Sequence, residues 1–144
     1  MIRKEAIAKE ISQLLPNLIR HMYPFVFEPI ELPPSQVIAL CILSEKGSCR
    51  LGQLSREMHN SPPTASGIVD RLENGGYVKR HEDENDRRAT DIILTEKGKR
   101  IVDQFRSNIR QRWQFILTKL SEGEGEEVLK VLLRITKAFT HDAK

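Results

Sequence analysis

The sequence predicts a fold that is mainly α with a small β-hairpin. Three observations predict it. Apolar residues recur at three- and four-residue steps along most of the chain, the period of a helix with one buried face. Gly47 and the pair Gly75-Gly76 each close such a stretch, as glycine does at helix ends. One region alone, Tyr77 to Leu94, places two short strand-like runs on either side of charged residues.

The elements follow in order. From about Ile2 to Met22, the residues Ile7, Ile11, Leu14, Leu18 and Met22 form a helical stripe. Pro16 falls inside it, and the lost donor predicts a kink or a restart. Four prolines between Tyr23 and Pro34 make that stretch a poor helix. Ser35 to Ser44 is an apolar helix that Gly47 stops, and Cys49-Arg50-Leu51 can form a small strand. Gly52 to His59 reads as a short helix with Leu54 and Met58 inward. Ser61 then caps a helix that has Pro62 at its first position, where a missing donor costs nothing. That helix continues through Ile68, Val69 and Leu72.

Tyr77 to His81 reads as a strand, Glu82 to Arg88 as a polar turn, and Thr90 to Leu94 as a second strand rich in β-branched residues. Thr95 opens a long helix through Ile101, Phe105, Ile109, Trp113, Ile116 and Leu120. Ser121-Glu122-Gly123-Glu124 has the spacing of a capping box and starts a last helix, which runs through Val128, Leu132 and Phe139.

Composition narrows the function classes. A chain of 144 residues, 39% hydrophobic and 30% charged, fits one domain and is neither a disordered nor a membrane pattern. Its longest uncharged stretch, Leu32 to Ser44, is too short for a bilayer. The opening Met1-Ile2-Arg3-Lys4-Glu5 lacks the apolar core of a signal peptide, so the expected location is cytoplasmic. No nucleophile elbow, phosphate loop or zinc-protease motif occurs, and the four histidines are scattered. An enzyme is not expected, and no cofactor is implied. Cys41 and Cys49 lack the spacing of a zinc site. Two free thiols in a reducing compartment are the first reading and a redox switch the sharper one: Cys41 lies in an apolar run and suits an inert thiol, whereas Cys49 lies in a polar turn and is expected to be the more reactive of the two.

Net charge is +3, which identifies no partner. Pattern does. Two short helices joined by a tight turn and followed by a hairpin make a winged helix-turn-helix. The second helix fits a DNA major groove with its N-terminal end at the bases and phosphates. Its amide groups and dipole favour a phosphate. The candidate contacts there are Ser61, Pro62, Thr64, Ala65 and Ser66, with Arg71 further along. At the hairpin tip, Arg87 and Arg88 suit a narrow minor groove. Glu82, Asp83, Glu84 and Asp86 argue against a purely electrostatic wing. Asp86 is expected to brace a neighbouring arginine. The first and last helices carry more apolar surface than a winged module has to cover, which predicts a homodimer.

At this point the chain resembles the MarR family of bacterial regulators. The resemblance is carried by Leu32-Pro33-Pro34-Ser35-Gln36, by Leu51-x-x-Leu54-Ser55-Arg56-Glu57-Met58, and by Ser66-x-x-Val69-Asp70-Arg71-Leu72-Glu73-x-x-Gly76-Tyr77-Val78-Lys79-Arg80. It continues with Asp83-x-x-Asp86-Arg87-Arg88 and Leu94-Thr95-Glu96-Lys97-Gly98. The family resemblance implies a winged helix-turn-helix over residues 32–98, with N- and C-terminal dimerisation helices over 1–31 and 99–144. It implies a homodimer on a palindromic double-stranded DNA operator, with half-sites about 34 Å apart. Asp86 and Arg88 match the family's wing, whose arginine meets the minor groove, and Ser61 to Arg71 match its recognition helix. The resemblance also implies a small-molecule effector held between the dimer arm and the winged module. Met22, Phe25, Cys41 and Trp113 are candidates there, but apolar residues at helical spacing are more often simply core, so no ligand residue is assigned. Some relatives sense zinc, and His21 with Glu31 would be the place for it.

The chain departs from the family at Pro62-Pro63, and at Pro16, Pro24 and Pro29, which interrupt its long first helix. The function expected is a DNA-binding regulator, a repressor first, released by a small ligand or an oxidant. The competing class is a winged-helix module for protein contact, which would expose aromatics where this chain has hydroxyls and arginines.

Overall fold

A computed structural model describes residues 2–142, and the side chains of all of these except 87, 88, 141 and 142. Among the described residues six helices and three strands follow one another: α1 (Ile2–Val26), α2 (Pro34–Lys46), β1 (Cys49–Arg50), α3 (Leu51–Glu57), α4 (Pro62–Asn74), β2 (Val78–Asp83), β3 (Asp86–Leu94), α5 (Glu96–Leu117) and α6 (Glu122–Asp142). The element order is the expected one. The chain divides into two compact units, Met1–Asn108 and Ile109–Lys144.

The first unit is built on one apolar core. Leu40 and Leu43 of α2, Cys49 of β1, Leu54 of α3, Ile68, Val69 and Leu72 of α4, Val78 of β2, Ile92 of β3 and Val102 of α5 converge there. Each fully buried aliphatic side chain contributes roughly 1.5–3 kcal/mol, so the core fixes how the short helices meet. The sheet is antiparallel in the order β1-β3-β2. Gly47 ends α2 at φ +83° and donates its N–H to the Leu43 carbonyl at 2.9 Å, in a backbone conformation that favours glycine.

Two expectations are corrected. α1 passes Pro16 without a restart and takes in Tyr23 to Val26, Pro24 included. Each proline removes one backbone donor, but a break would cost a fresh nucleation, so the helix carries the gaps. Beyond it, the chain turns through hydrogen bonds from Phe27 to Tyr23 and from Ile30 to Phe27. The end of α1 is tied to α5 by Asn108, whose Nδ2 donates to the Val26 carbonyl at 3.2 Å, and by Phe27, whose ring packs tilted against Phe105 with centroids 5.2 Å apart.

The hairpin is the second correction. Glu82 to Arg88 is not an open polar turn. Strand pairing continues to Asp83 opposite Asp86, past an irregularity between Glu82 and Asp83. Only Glu84 and Asn85 form the turn. The Asp83 carboxylate closes it by accepting the Asn85 N–H at 2.9 Å, as an aspartate does at such turns.

In the second unit the capping box is made as expected. Ser121 Oγ accepts from the Glu124 N–H at 3.2 Å, and Glu124 Oε1 accepts from the Ser121 N–H at 3.0 Å. The Ser121 backbone N–H, and after it the Ser121 hydroxyl, hold the Glu124 carboxyl below its ordinary range. Trp113, Leu117 and Leu120 from α5 and the segment after it face Val128, Leu129 and Leu132 of α6 across an apolar cleft of about 710 Å³.

Candidate nucleic-acid interface

The turn between α3 and α4 is held by backbone and hydroxyl. Ser55 Oγ donates to the Asn60 carbonyl at 2.6 Å, and the Asn60 N–H returns to the Ser55 carbonyl at 3.0 Å. His59 between them takes φ +56°, the left-handed region. Ser61 is then extended, at φ −69° and ψ 152°, and caps α4.

The proline pair changes what that helix start can offer. Pro62 and Pro63 have no N–H. The Thr64 N–H is directed to Ser61 Oγ at 3.4 Å, and the Ala65 N–H to the Ser61 carbonyl at 3.0 Å. The expected phosphate site made of free amides is therefore not formed. What faces solvent is a pair of hydroxyls, Ser61 Oγ and Thr64 Oγ1, 2.9 Å apart and sharing one hydrogen bond. Each keeps capacity for a further partner.

Among the other expected contacts, Pro62 is exposed and Ser66 half-buried. Ala65 is fully buried in the core, which corrects its place in the contact set: its methyl packs inward, one position out of phase with Thr64. Arg71 is exposed, and its Nη2 lies 3.9 Å from where a β-carbon on Gly67 would be. The guanidinium thus folds back toward the start of α4. Asp86 starts β3 and is exposed. The side chains of Arg87 and Arg88 lie outside the described residues, and their backbone belongs to β3.

Two arginines that pattern alone did not single out brace this surface. Arg80 on β2 donates to Asp70 at 2.8 Å and to Glu73 at 2.7 Å, both on α4. Arg50, just before α3, pairs with Asp83 at 2.7 Å and with Asp91 at 3.1 Å. Four carboxylates near the expected DNA face thereby carry internal partners. The base of the hairpin is closed by Thr95 Oγ1 donating to the Gly76 carbonyl at 2.6 Å. Lys97 Nζ donates to the Gly75 carbonyl at 2.7 Å and lies 4.5 Å over the Tyr77 ring.

The cysteine expectation is reversed. Cys49 is 1% exposed. Pairing with Ile92 draws it into the sheet, and burial pushes its thiol above the ordinary range. Cys41 is the half-buried one, and burial raises its thiol too. Among the described residues no group of three or more His, Cys, Asp or Glu side chains could hold a metal ion, and no helix is long and apolar enough to cross a membrane. Of the effector candidates, Trp113 lines the apolar cleft of the second unit, whereas Met22, Phe25 and Cys41 belong to the first.

Comparison with known proteins agrees with this geometry. Residues 32–90 match the model of the MarR family. The chain is 23% identical over 143 residues to the HTH-type transcriptional repressor MdtR of Bacillus subtilis, covering 97% of this chain and 92% of that one. A solved MarR family protein from Bacillus stearothermophilus superimposes with a TM-score of 0.86 at 25% identity, over 97% of this chain and 98% of that one. A mutant of the S. aureus protein MepR, solved bound to an oligodeoxyribonucleotide, shares the fold with a TM-score of 0.68 at 20% identity, over 92% and 97% of the two chains.

Proposed function

We propose that the chain is a DNA-binding transcriptional regulator of the MarR type, whose family model matches residues 32–90, and that it acts as a homodimeric repressor on a palindromic operator. The observation that carries this reading is one braced surface. α4, whose start is hydroxyl-tipped, and the wing are tied together by Arg80 through Asp70 and Glu73 in the second half of that helix. In the proposed complex α4 enters the major groove with Ser61, Pro62, Thr64, Ser66 and Arg71. The tip of the wing, with Asp86, Arg87 and Arg88, reaches the neighbouring minor groove.

The proposed dimerisation region, residues 1–31 and 99–144, is supported by unburied apolar surface. On α1, Ile7, Ile11, Leu14 and Leu18 are each about half exposed, and so are Leu129, Leu132, Leu133 and Ile135 on α6. Apolar surface this extensive on single helices marks an interaction site. A protein-contact role for the wing is disfavoured. Among the described residues, the exposed large hydrophobic residues lie on α1, α2, α5 and α6, with none on α4 or the hairpin. Operation in the cytoplasm belongs to the same reading. So does release by a small effector, which lowers operator affinity only by binding one conformation better than another.

The test is fluorescence anisotropy of the purified chain with fragments selected from its own genome, across a salt series. Tight binding to an inverted repeat is expected, with affinity falling steeply as salt rises. Weak, sequence-indifferent binding would return the protein-contact reading.

A further inference from the structure

We propose that Arg50 is a positioning residue that sets the wing against the helix-turn-helix, so that its tip meets DNA together with α4; this rests on the DNA-binding reading above. The wing alone is a two-stranded ribbon, and such ribbons are the most strongly and variably twisted of sheets. The third strand, β1, is two residues long and pairs only with β3, at Cys49 opposite Ile92 and Arg50 opposite Asp91. Backbone pairing therefore holds the wing at its base and leaves the tip to twist.

Arg50 supplies the missing lateral tie. The sheet order β1-β3-β2 puts β3 between Arg50 and β2, and adjacent strands lie about 4.8 Å apart. The Arg50 side chain crosses that width. Its Nε lies 3.1 Å from Asp91 Oδ1 on β3 as an ion pair, and its Nη2 donates to Asp83 Oδ2 on β2 at 2.7 Å. One guanidinium thus joins all three strands. Its far anchor sits at the end of β2, where the other oxygen of Asp83 accepts the Asn85 N–H and closes the tip. The near anchor is the N-cap position of α3, the first helix of the helix-turn-helix. The planar fork of arginine suits this double grip, and a lysine ammonium does not.

The side chains involved are partly exposed, 47% for Arg50, 27% for Asp83 and 29% for Asp91. Exposed pairs add little to fold stability, so the tie acts on orientation. It also accounts for carboxylates in a wing that has to approach phosphates: Asp83 and Asp91 hold the strap rather than face the ligand.

The test exploits a difference in sign. Asp83→Asn removes a negative charge beside DNA and keeps an oxygen for the Asn85 N–H. If charge alone mattered, it would tighten operator binding. Positioning requires that it weaken binding, by about 3- to 10-fold, with loss of the minor-groove footprint outside the α4 contacts. Arg50→Ala and Arg50→Lys should weaken binding similarly, and Arg50→Ala combined with Asp83→Asn should be no worse than Arg50→Ala alone. Unchanged or tighter binding by Asp83→Asn, or additive opposite effects in the double variant, would overturn the proposal while wild-type binding upholds the DNA reading. A wild-type chain that ignores every selected fragment sinks that reading and this proposal together.

Discussion

Gly98 packs against the backbone carbonyl of Tyr77 so closely that a β-carbon at that position would be driven into the oxygen. The same carbonyl accepts the Thr95 N–H at 3.1 Å, and Leu94 closes the space from the other side. The entrance of α5 is thereby pressed onto the backbone of Tyr77, the residue just before β2.

Gly98→Ala is expected to destabilise the chain by about 2 kcal/mol, an overpacking cost against backbone that has no rotamer to change. Helix propensity pulls the other way, by about 1 kcal/mol in favour of alanine, and is expected to lose. Urea unfolding checks it. A midpoint equal to that of the parent would mean that α5 can slide away from Tyr77.

The sequence made the helices legible because each has an apolar stripe and a chemical stop. Ser61 and Ser121 cap where their spacing said they would. The wing's length was not legible. Charged residues from Glu82 onward carry no strand signal, yet ladder bonds are backbone bonds, and Asp83 closes the turn through its carboxylate. The continuity of α1 was not legible, because a proline signals one lost hydrogen bond locally, whereas the cost of restarting a helix belongs to the whole segment. The role of Gly98 was not legible either, because its reason lies in a packing partner twenty-one positions back in the chain. In the site, Arg80 stands seven and ten residues from its partners across a helix end, a spacing that a helix-turn-strand reading could have found. Arg50 stands 33 residues from Asp83, and only the strand order brings them together.

Ser61 separates folding from recognition. Its oxygen caps α4, and in the proposed complex the same hydroxyl meets DNA. Ser61→Ala should lower stability by about 1 kcal/mol, as loss of an N-cap does, and should also weaken operator binding. Ser61→Asp keeps an oxygen for the Thr64 N–H and suits the positive end of the helix dipole, so its thermal midpoint should stay near the parent's. Its negative charge would face phosphate, and binding should fall. If Ser61→Asp binds the operator as well as the parent, Ser61 is a cap and nothing more.

The thiols give a prediction about oxidants. The thiolate is the reactive form, and burial raises both thiols; the nearby Lys46 opposes this at Cys49, and Arg106 at Cys41. Cys49 has almost no exposed surface, whereas Cys41 is half-buried. A disulfide-exchange reagent should therefore modify Cys41 slowly in the native chain and reach Cys49 only after denaturant is added. Mild peroxide should leave DNA binding intact. The pH dependence has a fixed sign. A thiol raised in the folded state stays protonated where the unfolded thiol ionises. The stability it contributes is full below the unfolded value and is lost as pH rises through the folded one. Alkaline titration should accordingly weaken the fold and speed modification together. Faster native reaction at Cys49, measured by comparing Cys41→Ser with Cys49→Ser, would show that β1 opens away from β3, releasing Arg50 along with the thiol.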